Sequence, residues 1–256
     1  MRIVIKIGTS TLAYASGRLN IRRVEALCKT MSDIRNAGHE LILVSSGAIG
    51  MGVGKLGLRE RPQDIPGKQA AAAVGQCELM YIYDKLFSEY HHTVAQLLIT
   101  AENLTNETRH LNFTNTLTRL LELGVVPVIN ENDTVATEEI VIGDNDTLAA
   151  NVARSVGARL LILLSDIDGL YTADPHTNPD AALLPVVRRV DEEIKKLAGV
   201  SSTTQGTGGM VTKLRAAEIC LGCGCEMVIA NGNNPAALYD IVEGKPVGTR
   251  FVGEWV

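Results

Sequence analysis

Residues 159–164 read Arg-Leu-Leu-Ile-Leu-Leu, and Ser165 and Asp166 follow directly. Five aliphatic residues in a row, with no polar residue between them, are typical of a strand that is buried on both faces of a sheet. Comparable runs recur along the chain, so we predict six strands: Ile3–Ile7, Glu40–Val44, Val94–Leu98, Val125–Ile129, Arg159–Leu164 and Glu226–Ile229.

Helical patterns fill the stretches between these strands. The predicted helices are Arg22–Asn36, Lys68–Glu89, Glu107–Glu122, Asp144–Ser155 and Met210–Leu221. Strands that alternate with helices indicate an α/β fold, a three-layer αβα sandwich around a central, mainly parallel sheet. In such folds ligands bind at the carboxyl ends of the strands. The polar motifs that follow the strands are therefore the first candidates for a functional site.

Composition narrows the class of protein. The chain has 256 residues, of which 46% are hydrophobic, with a net charge of -5 and a pI near 5.6. This is sufficient for one large α/β domain, and the acidic balance argues against a nucleic-acid partner. No apolar run has the length of a membrane span, and the first residues lack the pattern of a signal peptide. Five cysteines, an odd number, favour reduced thiols and a cytoplasmic location.

Three segments combine glycine with residues that suit an anion. Lys6 and Gly8 end the first strand, where a plain strand-to-loop turn with an exposed lysine is the other interpretation. Ser46 and Gly47 end the second strand and precede helix-compatible sequence, so free N–H groups are expected there. Residues 206–213 read Gly-Thr-Gly-Gly-Met-Val-Thr-Lys, a glycine loop that opens a helix. Backbone N–H groups and a lysine in this arrangement can bind phosphate.

Two clusters of Asn and Asp stand apart from ordinary helix caps. One is Asn130-Glu131-Asn132-Asp133, after the fourth strand, and the other is Gly143-Asp144-Asn145-Asp146, at the start of a helix. A short hairpin-like segment is expected between them. Acidic residues at helix starts are common as caps, but two such clusters exceed what capping needs. Their chemistry suits a zwitterion, with Asp for an ammonium group and Asn for a carboxylate.

Six motifs in this order resemble the amino acid kinase family. They are K-I-G-T-S at 6–10, S-S-G-A-I-G at 45–50, N-E-N-D at 130–133, G-D-N-D at 143–146, S-D-x-x-G-L-Y-T-A-D-P at 165–175 and G-T-G-G-M-x-T-K at 206–213. The resemblance covers essentially the whole chain, and it points to the branch that phosphorylates the γ-carboxylate of free L-glutamate with ATP and Mg²⁺, in the first step of proline biosynthesis. It implies one kinase domain over residues 1–256, with an N-terminal acceptor-binding part, a C-terminal ATP-binding part and no PUA domain. It also implies a homo-oligomer and feedback inhibition by proline.

The resemblance also implies roles for single residues. Lys6 and Lys213 are expected to stabilise the transferred phosphoryl group, and Asp146 to orient both lysines. Substrate binding is assigned to Ser46, Gly47, Asp133 and Asn145. ATP binding is assigned to Lys6, Gly8, Ser165, Asp166, Thr207, Gly208, Gly209, Met210, Val211, Thr212 and Lys213. No residue is assigned as a protein ligand of the metal ion.

Other interpretations were weighed against this one. A kinase of the same fold with another acceptor, or a catalytically silent binding protein, remain alternatives. A dehydrogenase would rest only on Gly52-Val53-Gly54-Lys55-Leu56-Gly57, which does not directly follow a strand, and we reject it. Cys220, Cys223 and Cys225 have a metal-like spacing, but no fourth ligand is evident nearby, so we interpret them as free thiols.

Overall fold

The computed structural model describes residues 1–14, 18–136, 145–175, 177–198 and 209–253. Within these ranges the strands are β1 (Arg2–Ile7), β2 (Glu40–Ser45), β3 (Val94–Ile99), β4 (Val126–Glu131), β5 (Leu160–Ser165), β6 (Val186–Val187), β7 (Glu226–Asn231) and β8 (Thr249–Phe251). The helices are α1 (Thr9–Leu12), α2 (Ile21–Asn36), α3 (Ala48–Lys55), α4 (Ile65–Ser88), α5 (Ala101–Thr105), α6 (Glu107–Glu122), α7 (Asn145–Ser155), α8 (Glu192–Ala198), α9 (Met210–Gly222) and α10 (Ala237–Val242).

All these strands lie in one sheet in the order β3-β4-β2-β1-β5-β7-β8-β6. Neighbouring strands from β3 to β7 pair in parallel, whereas β8 runs antiparallel to β7. In the register of β1 with its two neighbours, Ile7 lies opposite Ser45 and Leu164. The carboxyl ends of β1, β2 and β5 therefore finish at one level, and the loops that follow them meet at the same edge of the sheet.

Side-chain alternation along the strands separates two hydrophobic cores. Ile3, Ile5 and Ile7 contribute to the core that α2, α4 and α10 cover. Val4, on the opposite face, belongs to the core that α6, α7 and α9 cover. Because successive side chains of a strand point to opposite faces, Lys6 shares the face of Val4. This places its side chain on the side of the sheet where α7 and α9 pack.

The predicted three-layer αβα fold is confirmed, and the six predicted strands are present with ends shifted by at most two residues. The strands β6 and β8 were not predicted, because two and three residues carry no readable alternation. Helix α4 begins at Ile65, three residues before the predicted start, where the Asp64 side chain accepts a hydrogen bond from the Gly67 N–H. The hairpin-like segment expected before Gly143 lies almost entirely outside the described residues.

None of the described helices is both long enough and apolar enough to span a bilayer.

Candidate active site

Two lysines meet one carboxylate at the carboxyl edge of the sheet. Lys6 Nζ lies 2.7 Å from Asp146 Oδ1, and Lys213 Nζ lies 3.1 Å from Asp146 Oδ2. Lys6 comes from β1, Asp146 from the first turn of α7 and Lys213 from the first turn of α9. The three elements are far apart in sequence, and the shared face of the sheet brings them together.

This cluster is almost entirely removed from solvent. Asp146 is 1% exposed, Lys213 5% and Lys6 9%. Burial alone would raise the pKa of the Asp146 carboxyl, but the charges of Lys6 and Lys213 and their hydrogen bonds lower it well below its usual range. The carboxylate is therefore ionised at every pH near neutrality. It holds two ammonium groups in fixed positions, an arrangement that attracts an anion.

The start of α9 offers further donors beside this cluster. Gly209 is the N-cap residue and has no side chain that could occupy the first-turn N–H groups. The hydroxyl of Thr212 donates to Asp146 Oδ2 at 2.9 Å and also lies 2.8 Å from the Gly209 carbonyl oxygen. A helix N-terminus of this kind favours phosphate through its N–H groups and dipole.

A second group of polar residues lies at the end of β2. Gly47 is the N-cap of α3 and has a φ of 103°, a conformation that glycine adopts at low cost. The preceding Ser46 accepts a hydrogen bond of 2.7 Å at its Oγ from Asn145 Nδ2. Asn145 immediately precedes Asp146 in α7. The predicted substrate residues Ser46, Gly47 and Asn145 are therefore neighbours, directly beside the lysine pair.

Asn130 connects this group to the end of β4. Its Oδ1 accepts a hydrogen bond of 3.2 Å from Asn145 Nδ2, and its own Nδ2 donates to Gln76 Oε1 at 3.0 Å. Asp133, which was predicted to bind substrate, lies in the turn that follows β4 and is half-buried. The N-E-N-D motif thus begins at the buried Asn130, at the end of β4, and finishes at the half-buried Asp133 in the turn that follows.

The predicted nucleotide residues are found at three neighbouring strand and helix ends. Gly8 follows β1, and its N–H donates to the Leu164 carbonyl oxygen of β5 at 3.4 Å. Ser165 ends β5, and its hydroxyl donates to Asp166 Oδ1 at 3.0 Å. Met210 at the start of α9 is buried, whereas Val211 beside it is exposed. Thr207 and Gly208 lie outside the described residues.

Two residues of this site were missed by the sequence argument. Asn130 belonged to a quoted motif but was given no role, and Gln76 was not considered at all. Gln76 lies inside an alanine-rich part of α4, where a single polar residue carries no signal in sequence. Only the contact with Asn130 shows that it belongs to the site.

The cysteine motif lies away from this site. Cys220, Cys223 and Cys225 are free thiols where α9 ends and β7 begins, and Cys223 is the exposed one. A hydrogen bond with Cys225 and burial raise the pKa of the Cys220 thiol. Across the described ranges, no group of three or more His, Cys, Asp or Glu side chains is placed to hold a metal ion.

Comparison with known families and proteins gives a consistent result. The model of the amino acid kinase family matches residues 1–231. The chain is 51% identical to glutamate 5-kinase of Clostridium perfringens, covering 99% of this chain and 96% of that protein. It is 52% identical to glutamate 5-kinase of Clostridium tetani, covering 97% of this chain and 93% of that protein. A glutamate 5-kinase of Caldanaerobacter subterraneus is also 52% identical, but the match covers 68% of that longer protein.

Solved structures show the same fold at much lower identity. Carbamate kinase from Giardia lamblia bound to AMP-PNP superimposes with a TM-score of 0.72 at 16% identity, over 99% of this chain and 98% of that one. UMP kinase from Ureaplasma parvum gives a TM-score of 0.65 at 17% identity, over 98% of both chains. At such identities the likeness establishes the architecture alone.

Proposed function

The chain belongs to the amino acid kinase family, within its glutamate 5-kinase branch, and we propose that it transfers the γ-phosphoryl group of ATP to the side-chain carboxylate of L-glutamate. The product is L-glutamyl 5-phosphate, and the reaction is the first step of proline biosynthesis. The observation that carries the proposal is the pair of ammonium groups, Lys6 and Lys213, held on the single carboxylate of Asp146.

The chemistry explains why two lysines are needed and a general base is not. A glutamate side chain has a pKa near ~4.3, so at neutral pH it is already an anionic nucleophile. The barrier is electrostatic, because this carboxylate must approach a negatively charged phosphoryl group. Two unit charges ~4 Å apart repel by about 4 kcal/mol at an effective dielectric constant of about 20. Phosphoryl transfer depends mainly on positioning and on such charge stabilisation.

The two lysines act on the group that is transferred. Together, Lys6 and Lys213 neutralise negative charge on the γ-phosphoryl group and on the phosphate that leaves. Asp146 keeps both ammonium groups in place. The carboxylate oxygen of glutamate attacks phosphorus in line, and the bond from phosphorus to the β–γ bridging oxygen breaks. ADP leaves with that electron pair.

Glutamate is proposed to bind at the ends of β2 and β4. Ser46, Gly47 and Asn145 lie beside the lysine pair, at a suitable place for the acceptor. Asp133 is proposed to pair with the free α-ammonium group of glutamate, which selects against N-acylated relatives. The nucleotide is proposed to bind along Gly8, Ser165, Asp166 and residues 207–213.

Several finer parts of the proposal come from the family resemblance. Mg²⁺ enters with ATP as part of the substrate, bound mainly by phosphate oxygens and water, and neutralises charge on the phosphates. We also propose one kinase domain with an acceptor-binding and an ATP-binding part, a homo-oligomer, feedback inhibition by proline and a cytoplasmic location. Sedimentation and inhibition by added proline would test the assembly and the regulation.

The function is tested by ATP turnover with four separate acceptors: L-glutamate, N-acetylglutamate, L-aspartate and UMP. Hydroxylamine is added to trap any acyl phosphate as a hydroxamate. Glutamate-dependent ADP release together with a glutamyl hydroxamate is the expected result. Turnover with N-acetylglutamate or UMP, which lack a free α-ammonium group, would keep the roles of the lysines but refute the role of Asp133. ATP binding without turnover of any acceptor would favour a silent regulatory protein.

A further inference from the structure

A buried chain of side-chain amides leads from the acceptor site into helix α4. Gln76 is 7% exposed and Asn130 is 2% exposed, so both amides are shielded from bulk water. Gln76 contacts Asn130, Asn130 contacts Asn145, and Asn145 contacts Ser46. Two of the residues proposed to bind glutamate are therefore linked to a helix of the opposite layer.

The hydrogen bonds in this chain run in one direction. Asn130 uses its Nδ2 to donate to Gln76, which leaves its Oδ1 to accept from Asn145. The Nδ2 of Asn145 contacts both Asn130 and Ser46, so its two hydrogens are used. What Asn145 can still offer a ligand is its carbonyl oxygen, which suits an ammonium group. Ser46 acts as an acceptor here and keeps its own hydroxyl hydrogen, which suits a carboxylate.

From sequence, the chemistry of the Asn and Asp clusters matched Asn to a carboxylate and Asp to an ammonium group. The hydrogen bonds of Asn145 reverse this for one residue, because the group it can still offer is a carbonyl oxygen. In the structure, Asn145 donates to Asn130, and Asn130 donates in turn to Gln76. Gln76 thus lies two hydrogen bonds from Asn145 and three from Ser46.

The position of Gln76 is fixed by the backbone of two helices. A Cβ atom added to the adjacent Gly75 would lie 1.8 Å from the Ala48 carbonyl oxygen and 2.3 Å from the Gly52 amide nitrogen. At Gly52 it would lie 1.8 Å from the Ala71 carbonyl oxygen. Helices α3 and α4 therefore pack at backbone contact, and α4 cannot shift without separating from α3. This close packing fixes the backbone beside Gln76 against α3.

Packing alone does not explain why this position carries an amide. The Nε2 atom of Gln76 is buried and has no hydrogen-bond partner among the described residues. A buried donor without an acceptor is destabilising. A methionine of similar length would fill the same space, but it would leave the buried Nδ2 of Asn130 without its acceptor. The amide of Gln76 therefore serves Asn130, through its Oε1, and not the hydrophobic core.

We propose that Gln76 is a positioning residue of the acceptor site, which acts through Asn130 to orient Asn145 and Ser46. This inference rests on the proposed function, because the acceptor is the ligand that these two residues are proposed to bind. Gln76 has no part in the binding of ATP, since its hydrogen bond leads toward the ends of β2 and β4 and not toward α9.

A double-mutant cycle tests the proposal with Gln76→Met, Asn130→Ala and the double variant. We expect Gln76→Met to raise KM for glutamate by about tenfold, with kcat and KM for ATP within about twofold of wild type. The double variant should have no higher KM for glutamate than Asn130→Ala alone, because Gln76 acts through Asn130. Asn130→Ser replaces Asn130→Ala in the cycle if the alanine variant is not recovered folded.

Leu79→Ala on the same helix is the matched control, since Leu79 is fully buried in the core of that layer. It should lower Tm and leave KM for glutamate unchanged. A lower Tm in Gln76→Met with an unchanged KM would reduce Gln76 to a structural role and overturn the proposal. Additive effects in the double variant would also overturn it. If wild type releases no ADP with glutamate, the proposed function fails by itself, and the cycle is repeated with whichever acceptor supports turnover.

Discussion

Gly75 of α4 meets Gly52 of α3 so closely that a Cβ atom on Gly75 would lie 2.3 Å from the Gly52 amide nitrogen. Gly52 follows Gly47, the N-cap of α3, by little more than one helical turn. The contact therefore sets the angle at which the N-terminus of α3 is presented to the site. Both partners are backbone atoms, so no change of rotamer can relieve a clash there.

We expect Gly75→Ala to destabilise the protein by at least ~3 kcal/mol, at the upper end of what overpacking costs. The reason is that the added methyl group forces α3 and α4 apart. Gly222→Ala is the control, because a Cβ atom at Gly222 meets nothing within 4 Å. That substitution should be neutral or stabilise by about 0.5–1 kcal/mol. Chemical denaturation measures the unfolding free energies of both variants. Equal changes in Gly75→Ala and Gly222→Ala would contradict the explanation by a clash between α3 and α4.

Lys213→Met should lower kcat by about a hundredfold to a thousandfold, while KM for glutamate changes far less. The substitution removes one of the two ammonium groups that Asp146 holds and leaves the acceptor residues intact. Steady-state kinetics with saturating ATP gives the two constants. Lys195→Met is the control, because Lys195 forms only exposed ion pairs with Glu192 and Glu218. An unchanged kcat in Lys213→Met would remove Lys213 from the mechanism.

Asp133→Ala should mainly raise KM for glutamate, because the partner proposed for the α-ammonium group is lost. We expect an increase of about tenfold to a hundredfold, the size of one charged hydrogen bond. The preference for glutamate over N-acetylglutamate should fall with it. Glu122→Gln, which removes an exposed carboxylate at the end of α6, serves as control. Retained discrimination between the two acceptors would exclude Asp133 as the selecting group.

Asp146→Asn should both inactivate and destabilise the protein. The two lysines would lose the carboxylate that holds them, and breaking a buried ion pair costs about 3–5 kcal/mol. Because the pKa of Asp146 is lowered in the folded state, its contribution to stability is complete above the unfolded pKa of about 4. This contribution to stability is lost as the pH falls through the pKa that Asp146 has in the folded protein. The difference in unfolding free energy between wild type and variant should thus be constant from about pH 5 to 7 and shrink in more acidic solution.

His92 should make a separate contribution to the pH dependence of the unfolding free energy. Burial and the facing Arg35 guanidinium, 3.0 Å from its Nδ1, lower the pKa of His92 below the usual value of about 6.5. His91 next to it acts in the same direction, and the carbonyl oxygen of Ser32 opposes them. The contribution of neutral His92 to the stability of the fold is therefore complete above about pH 6.5. It is lost as the pH falls through the pKa that His92 has in the folded protein.

His92→Gln should remove this part of the pH dependence. Unfolding free energies of wild type and variant are compared at intervals from pH 7.5 to pH 5, so that contributions of other groups cancel. The expected result is a steeper loss of stability in wild type below about pH 6.5. Parallel curves would show that His92 does not titrate in this range.

The sequence by itself determined the type of fold and predicted most residues of the candidate site, but it gave no role to Asn130 or Gln76. Continuous aliphatic runs such as 159–164 are typical of strands buried on both faces of a parallel sheet. The motifs at the strand ends indicate where ligands are expected. The short strands β6 and β8 were missed, because strands of two and three residues owe their position to their neighbours and carry no pattern of their own.

Only the tertiary structure decided which of these residues meet and how they are oriented. Lys6 and Lys213 are separated by more than two hundred positions, yet alternation along β1 and the packing of α7 and α9 bring both to Asp146. Gln76 is one of several polar residues in α4, and no periodicity marks it. Its role follows from the backbone contact of α3 and α4 and from the direction of the hydrogen bonds through Asn130. Such relations depend on distances between separate elements, which a linear pattern of residues does not contain.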